Sequence, residues 1–451
     1  MTASRDEGRR TKDQRRKTKD EGRKFFLRPW SLAFLSPSFF LLPVCLTNAQ
    51  IISESGIAES LCFNSRVISL NAPPQPGDRV FDLQGSFVFP GLINVHEHLE
   101  LNHFGRVKFR ETYSNASEWI EDIRPRLRAD PVLQRGQAYS LADRLFIGGL
   151  KNLLSGATTV AHHNPFYREL RGNFPVRVVK RYGWAHSFHL EGQSAGAKGE
   201  SAGHIRQRYR ATPSNAPFML HLAEGVDEAA HAELERLELL DCLGSNTVLI
   251  HGVGIDLEGW QRIVQAGAGL VWCPASNLFL LRRSVAIDQF ISVFPESRAR
   301  IGLGTDSRLT GSRDLLDEMR VALSLGHVTP QQIFKMVTTN AASLLRLLHV
   351  GRIAPGLPAD LLILPRLRDD PYTTLLSAER KDVQLVVIGG RPLFGAPEFS
   401  EIFSARGVKA QPIQVDGVPK LIEHSLARRI QRCAISEPGV EFQPAKQVSE
   451  W

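Results

Sequence analysis

Residues 87–98 read Phe-Val-Phe-Pro-Gly-Leu-Ile-Asn-Val-His-Glu-His, an apolar run that ends in two histidines one residue apart. In a strand, residues i and i+2 point to one face. The imidazoles of His96 and His98 would leave such a strand together, close enough to share a metal ion. A surface pair at a strand end is the competing reading of the doublet. Other apolar runs end in the same manner. Phe218-Met219-Leu220 ends in His221, with Glu224 three residues on; Val248-Leu249-Ile250 ends in His251; residues 301–305 end in Asp306. A lone histidine at a strand end is usually structural, but four such ends favour a metal centre. Imidazoles with a carboxylate form a mixed N/O set suited to Zn²⁺ or Fe²⁺, with a position left for water. Water so held ionises near neutral pH and becomes a nucleophile. Glu224, just past its strand, and a further imidazole can then move protons. A solvated loop glutamate is the plain alternative for Glu224. His251 stays open as ligand, proton shuttle or substrate contact.

Strands must bring these ends together. From about residue 91 to 349, apolar β-type runs (158–163, 176–187, 218–223, 248–253, 270–273, 300–305) alternate with helical segments (138–154, 227–240, 257–265, 315–325, 330–348). That alternation predicts an α/β fold with a parallel sheet, and a (β/α)8-type barrel is the leading candidate. Active sites of such barrels lie at the C-terminal strand ends, where these His and Asp residues fall. Residues 46–90 and 350–395 read as short strands and turns and are expected to pair into one small β-domain. Residues 46–52 look like its first strand. The tail, 396–451, shows one expected helix over 420–433.

The composition is 43% hydrophobic and 23% charged over 451 residues, ordinary for a globular chain with room for two domains. The net charge of +8 sits mostly in residues 1–28, which carry +6 of it. The rest is close to neutral, which excludes a nucleic-acid surface of the usual basic kind. Residues 5–24 are low-complexity and basic, and the apolar stretch 30–46 that follows is broken by Pro37 and Pro43. It is too short for a stable membrane span. Residues 1–45 read as an upstream extension with a mis-called start, because cleavage near Ala49 would cut the first strand; an export signal over 1–49 is the alternative. The five cysteines are scattered, odd in number and lack Cys-x-x-Cys. They form no disulfide framework and no thiolate zinc site, and a cytoplasmic location follows.

Taken together, the motifs resemble the amidohydrolase superfamily, in its deaminase and chlorohydrolase branch. Phe89-Pro90-Gly91-Leu92-Ile93-Asn94-Val95-His96-Glu97-His98 is similar to its opening metal motif. His221-Leu222-Ala223-Glu224 resembles its His-x-x-Glu motif, and His251-Gly252-Val253 follows as in that branch. Cys273-Pro274-Ala275-Ser276-Asn277-Leu278 resembles its Cys-Pro-x-Ser-Asn motif, Gly304-Thr305-Asp306-Ser307 its eighth-strand motif, and Thr338-Thr339-Asn340-Ala341-Ala342 with Gly356-Leu357-Pro358-Ala359-Asp360-Leu361 its return to the small β-domain. The likeness runs from about residue 46 to 395. It implies a distorted barrel (91–349) with a flanking β-sandwich (46–90 with 350–395) and one divalent metal, zinc before iron. His96, His98, His221 and Asp306 are the implied ligands. Glu224, His251 and Asp306 are the implied catalytic groups. The implied reaction removes an exocyclic amine from a purine, pyrimidine, pterin or triazine-like ring. A small molecule is then the partner, and a homodimer is the association common among similar proteins.

The chain departs from that pattern in places. His163 and His221 are too close for two full strand–helix units, so a third or fourth unit is expected to be shortened or missing. No lysine ends a strand where a two-metal site would need one; Lys180 lies inside an apolar run. His163, Arg106 and Asn277 are candidate substrate contacts, with packing (His163) and a solvated basic loop (Arg106) as alternatives. The same scaffold serves amide, cyclic amide and carbon–halogen hydrolysis, since its motifs hold metal and water without choosing the leaving group. A non-catalytic barrel would have lost some of these residues, and none is lost.

Overall fold

The computed structural model describes residues 42–189 and 201–442. Residues 1–41, on which most of the extension-or-signal reading falls, lie outside them.

Eight parallel strands position the candidate site: β1 (Leu92–Glu97), β2 (Ala157–His162), β3 (Arg177–Val178), β4 (Gly183–Ala185), β5 (Phe218–Leu222), β6 (Thr247–His251), β7 (Gly269–Trp272) and β8 (Ile301–Leu303). They form two sheets, ordered β3-β2-β1 and β4-β5-β6-β7-β8. An isolated parallel bridge between Glu97 and Asp306 joins β1 to the residues after β8. Among the described residues no ladder pairs β3 with β4. Strands β1, β2, β5, β6, β7 and β8 are buried along their whole length. That explains their continuous apolar runs, since strands of a parallel sheet are covered on both faces.

The short stretch between His163 and His221 has a specific cause. Residues 176–187, expected as one strand, are two, β3 and β4, with no helix between them, and helix Ser201–Ala211 precedes β5. Both strands are therefore present, and the helix of one unit is gone. Two helices went unforeseen, Ala116–Ala129 and Pro131–Ala138, in the segment after β1. The first starts at Asn115, whose side chain accepts from Glu118 N as an N-cap.

The flanks form two further sheets. Val67–Leu70, Leu61–Phe63, Val44–Thr47 and Arg79–Asp82 make one of four strands. In the other, of nine strands, Phe87–Pro90 from before the barrel strands pairs antiparallel with Leu361–Leu364 from after them. Val44, Leu46 and Phe63 of the first sheet share one buried cluster with Ile51, Leu361 and Val387 of the second. The run 46–52 is two strands, Val44–Thr47 and Gln50–Ser53, turned at Asn48, which sits at φ 48. Asn tolerates that left-handed conformation better than most residues.

The tail holds more than one helix. Ala410–Val415, Val418–Glu423 and Val440–Glu441 extend the nine-stranded sheet. The helix expected over 420–433 therefore begins only at His424, where the Glu423 carboxylate caps it by accepting from Leu426 N. The helix expected over 330–348 is likewise two, Pro330–Met336 and Thr339–Leu344. Thr338, whose hydroxyl donates to Phe334 O, leaves helical geometry between them. The cysteine reading needs correction: Cys45 and Cys62 form a disulfide across two paired antiparallel strands. Cys242, Cys273 and Cys433 are free. Among the described residues no helix is long and apolar enough to cross a membrane.

Candidate metal centre and active site

The strand ends meet as their spacing requires. His221 Nε2 lies 3.3 Å from both His96 Nε2 and His98 Nε2. Asp306 Oδ1 lies 3.7 Å from His96 Nε2 and 3.6 Å from His98 Nε2. A tetrahedron with metal–nitrogen bonds of about 2.0–2.1 Å has edges of roughly 3.3–3.4 Å; the two His221 contacts match that spacing, and His96, His98 and Asp306 lie close enough together to form a candidate metal-holding group. Their protonation agrees. His221 Nδ1 lies 2.8 Å from the His186 carbonyl, so Nδ1 carries the proton and Nε2 the lone pair. Burial, reinforced by neighbouring His96, holds His98 and His221 well below the usual imidazole pKa, and hence neutral. Burial alone would raise Asp306, but the hydrogen bond from the His96 imidazole holds it well below the usual carboxylate range. One proton could bridge only one of the two 3.3 Å contacts at His221 Nε2; a cation satisfies both. The donor set fits a divalent metal.

Close backbone approach makes the cluster possible. A Cβ on Gly304 would fall 2.7 Å from His96 Cβ and 2.9 Å from Val271 Cγ1, so glycine lets β8 lie against β1. Ala223, His251 and Asp306, all in this region, adopt φ of 53, 74 and 54. Non-glycine residues pay about 1–3 kcal/mol for such conformations, which persist where surrounding structure imposes them.

Glu224 and His251 face the cluster. Glu224 Oε1 is 3.5 Å from His251 Nε2. Burial, with Asp306 and Glu233 nearby, pushes the Glu224 carboxyl well above its usual range. His251 is lowered to about 4, chiefly by burial. Both line a cavity of about 630 Å³ with His98, His221 and Asp306. Trp119, Phe188 and Leu280 supply apolar wall. Trp119 belongs to helix Ala116–Ala129, which is tied to the Glu224 loop through Ala116 N to Glu224 O (2.9 Å) and Val226 N to Ser114 O (2.7 Å).

The three expected substrate contacts fall elsewhere. Arg106 does not line this cavity: its Nε donates to Gly311 O at 2.8 Å and its guanidinium lies over Phe279. Asn277 is fully buried behind it, and its Oδ1 lies 2.8 Å from His251 Nδ1, so it orients that imidazole. His163 is also fully buried, with Nε2 2.8 Å from Ala185 O and its ring 4.4 Å from that of His221. Each is held by a nearer partner: a carbonyl for Arg106 and His163, an imidazole for Asn277.

Sequence reasoning missed the groups that hold Asp306 and surround His98 and Glu97. Ser276 Oγ and Thr310 Oγ1 donate to Asp306 Oδ2 at 2.9 and 2.7 Å, leaving Oδ1 for the histidines. Asn164 also lines the cavity, its Nδ2 3.3 Å from His98 Nδ1; with His98 Nε2 on a metal, Nδ1 carries the proton and the amide must turn its Oδ1 to accept it. Glu97 turns to the opposite face from its two histidine neighbours. There it meets Lys151 Nζ at 2.9 Å, with both side chains fully buried. Asn102, Asn152 and Thr305 donate to the same carboxylate at 2.9, 3.1 and 2.8 Å. A signal existed: Lys151 and Asn152 interrupt the apolar helix run Leu-Phe-Ile-Gly-Gly-Leu-Lys-Asn-Leu-Leu.

Residues 210–393 match the model of the amidohydrolase family. It is 24% identical over 406 residues to the 5-methylthioadenosine/S-adenosylhomocysteine deaminase of Thermococcus kodakarensis, covering 78% of this chain and 94% of that one. It is 27% identical over 404 residues to the 8-oxoguanine deaminase of Pseudomonas aeruginosa, covering 72% and 86%. Among solved structures it shares its fold with the zinc complex of atrazine chlorohydrolase from Arthrobacter aurescens (TM-score 0.62, 16% identity, 81% of this chain and 99% of that one). An adenosine deaminase from Xanthomonas campestris with bound zinc is similar at TM-score 0.61 and 16% identity, over 81% and 97% of the two chains.

Proposed function

We propose that this protein is a metal-dependent hydrolase that removes an exocyclic amine from an N-heterocycle. The observation that carries the reading is the cage of His96, His98 and His221 Nε2 with Asp306 Oδ1, faced by Glu224 and His251. The deaminase relatives over most of the chain support the reaction class. We read the eight strands as a distorted (β/α)8-type barrel with a flanking β-sandwich, and the cage as the site of one ion, zinc before iron.

A divalent ion bound there supplies Lewis acidity and a water nucleophile at neutral pH. His96, His98, His221 and Asp306 hold it. Glu224, whose carboxyl burial pushes well above its usual range, carries a proton to the ring or leaving nitrogen. His251, aimed by Asn277, orients the substrate through Nε2. Helix Ala116–Ala129 and Phe188 wall the heterocycle from solvent. The substrate is a small molecule, the association a homodimer. We read the location as cytoplasmic; export through residues 1–49 is the alternative, but cleavage near Ala49 would remove Cys45 and with it the Cys45–Cys62 disulfide.

Elemental analysis of the purified protein, coupled to ammonia release from aminated purines, pyrimidines, pterins and triazines, tests this. About one zinc or iron per chain with ammonia from any member is the expected result. Metal without ammonia moves the reaction to amide or halide leaving groups. Failure to hold metal after reconstitution sinks the reading.

A further inference from the structure

The segment after the last helix reaches back to the metal cage. Glu437 is fully buried and pairs with Arg308 through two bonds, Oε2 to Nη1 at 2.8 Å and Oε1 to Nη2 at 2.6 Å. Arg308 lies two residues past Asp306. Arg380, also buried, donates Nη1 to Glu437 Oε1 at 2.6 Å and Nη2 to Pro438 O at 2.8 Å. Its Nε and Nη2 hold the Asp416 carboxylate at 3.1 and 2.7 Å. Arg313 pairs with Asp416, and Asp314 lies 3.9 Å from Arg380 Nε. Three guanidiniums and three carboxylates thus balance in one cluster. The turn that delivers Glu437 is built for it: Gly439 sits at φ +79, and a Cβ there would fall 2.1 Å from Asp416 Oδ1.

The loop this cluster grips is the one that aims Asp306. Arg308 Nε donates to Arg313 O at 2.7 Å, closing residues 308–313 on themselves. Arg308 N donates to Asn102 Oδ1 at 3.1 Å, and Asn102 Nδ2 donates to Glu97 Oε1 and to His98 O. Inside the loop, Thr310 supplies one of the two hydroxyls on Asp306 Oδ2. A carboxylate held at a left-handed φ of 54 depends on such neighbours.

We propose that Glu437 is a positioning residue for the metal centre: through Arg308 it holds the 307–313 loop, and hence Thr310 and Asp306, in ligand geometry. The C-terminal segment is then part of the site although it touches no substrate. The inference rests on the cage being a metal site, and the test separates the two.

The probe is Zn²⁺ alone, measured by competition with a chromophoric chelator, with amide exchange over residues 307–313 of the metal-free protein as an independent readout. Glu437→Gln and Arg308→Lys are the variants; the second keeps the charge and loses the fork, should the first fail to fold. Arg177→Met is the control. It breaks another ion pair of the fold, Arg177 Nη1 to Asp360 Oδ2 at 2.5 Å, far along the chain from the loop. Partners that orient ligands are typically worth about 10–100-fold in metal affinity. We expect a zinc loss of that order in Glu437→Gln and Arg308→Lys with faster exchange in the loop, and neither in Arg177→Met despite a lowered unfolding midpoint. Zinc affinity within about twofold of wild type together with unchanged loop exchange overturns the proposal. So does an equal effect in the control. If wild type holds no zinc, the metal reading fails separately, and loop exchange alone decides whether Glu437 holds the loop.

Discussion

Replacing Lys151 by methionine should destabilise the fold by stranding a buried charge behind the cage. The ammonium is fully buried, 2.9 Å from Glu97 Oε2, and donates to Asn102 Oδ1 at 2.7 Å. At an effective dielectric of about 20, two unit charges at that separation attract by roughly 6 kcal/mol. Methionine keeps most of the stem's volume and removes the charge, so the penalty is the stranded Glu97 carboxylate. Neutral donors from Asn94, Asn102, Asn152 and Thr305 remain on it and offset part of the loss. Breaking buried pairs typically costs about 3–5 kcal/mol, and we expect a loss in that range for Lys151→Met. That is a large share of a domain's usual stability of about 5–15 kcal/mol. Urea unfolding of the metal-free protein measures it. Glu97→Gln combined with Lys151→Met leaves no unpaired charge and should be more stable than Lys151→Met alone. A loss below about 1 kcal/mol, or a double variant no better than the single one, would refute the view that this pair braces the cage.

Glu224→Gln should retain metal and lose about 10²–10⁴-fold in turnover on a verified substrate, the usual worth of proton transfer; full activity would remove Glu224 from the proton pathway. Burial raises the Glu318 carboxyl to about 7 from the ordinary 4.5. Between those values the folded state keeps a proton the unfolded chain has released, so stability falls as pH rises through the window. Glu318→Gln does not titrate and should gain on wild type between about pH 5 and pH 8; a constant difference in unfolding free energy contradicts this. Denatured but unreduced protein should show three free thiols, Cys242, Cys273 and Cys433, against five after reduction. Cys62→Ser should cost about 3 kcal/mol, as expected for a loop of 17 residues; five thiols without reductant would exclude the bond.

Much of the cage was legible because strand periodicity is local. His96 and His98 had to share a face, and apolar runs marked where β5, β6 and β8 end. The helix over 138–154 and the strand–helix alternation were legible for the same reason, whereas the double strand at 176–187 was not. Two short apolar strands in succession carry no boundary signal when no helix separates them. Asn48 and Thr338 broke elements read as continuous, because apolar residues resume on both sides of the short polar stretches Thr47-Asn48 and Thr338-Thr339-Asn340.

The residue types and spacing by themselves determined that imidazoles and a carboxylate would leave the ends of several apolar strands, and so what chemistry the chain could perform. Only the tertiary structure decided which polar groups serve that chemistry. Glu97 and Lys151 lie 54 residues apart, and Arg308 and Glu437 lie 129 apart. Arg106 turned to a neighbouring carbonyl, and Asn277 to an imidazole, by the same kind of contact. Periodicity reports which face of its own element a side chain occupies. Ion pairs and hydrogen bonds are chosen by whatever the fold carries to within about 3 Å, and nothing local in the chain encodes that partner.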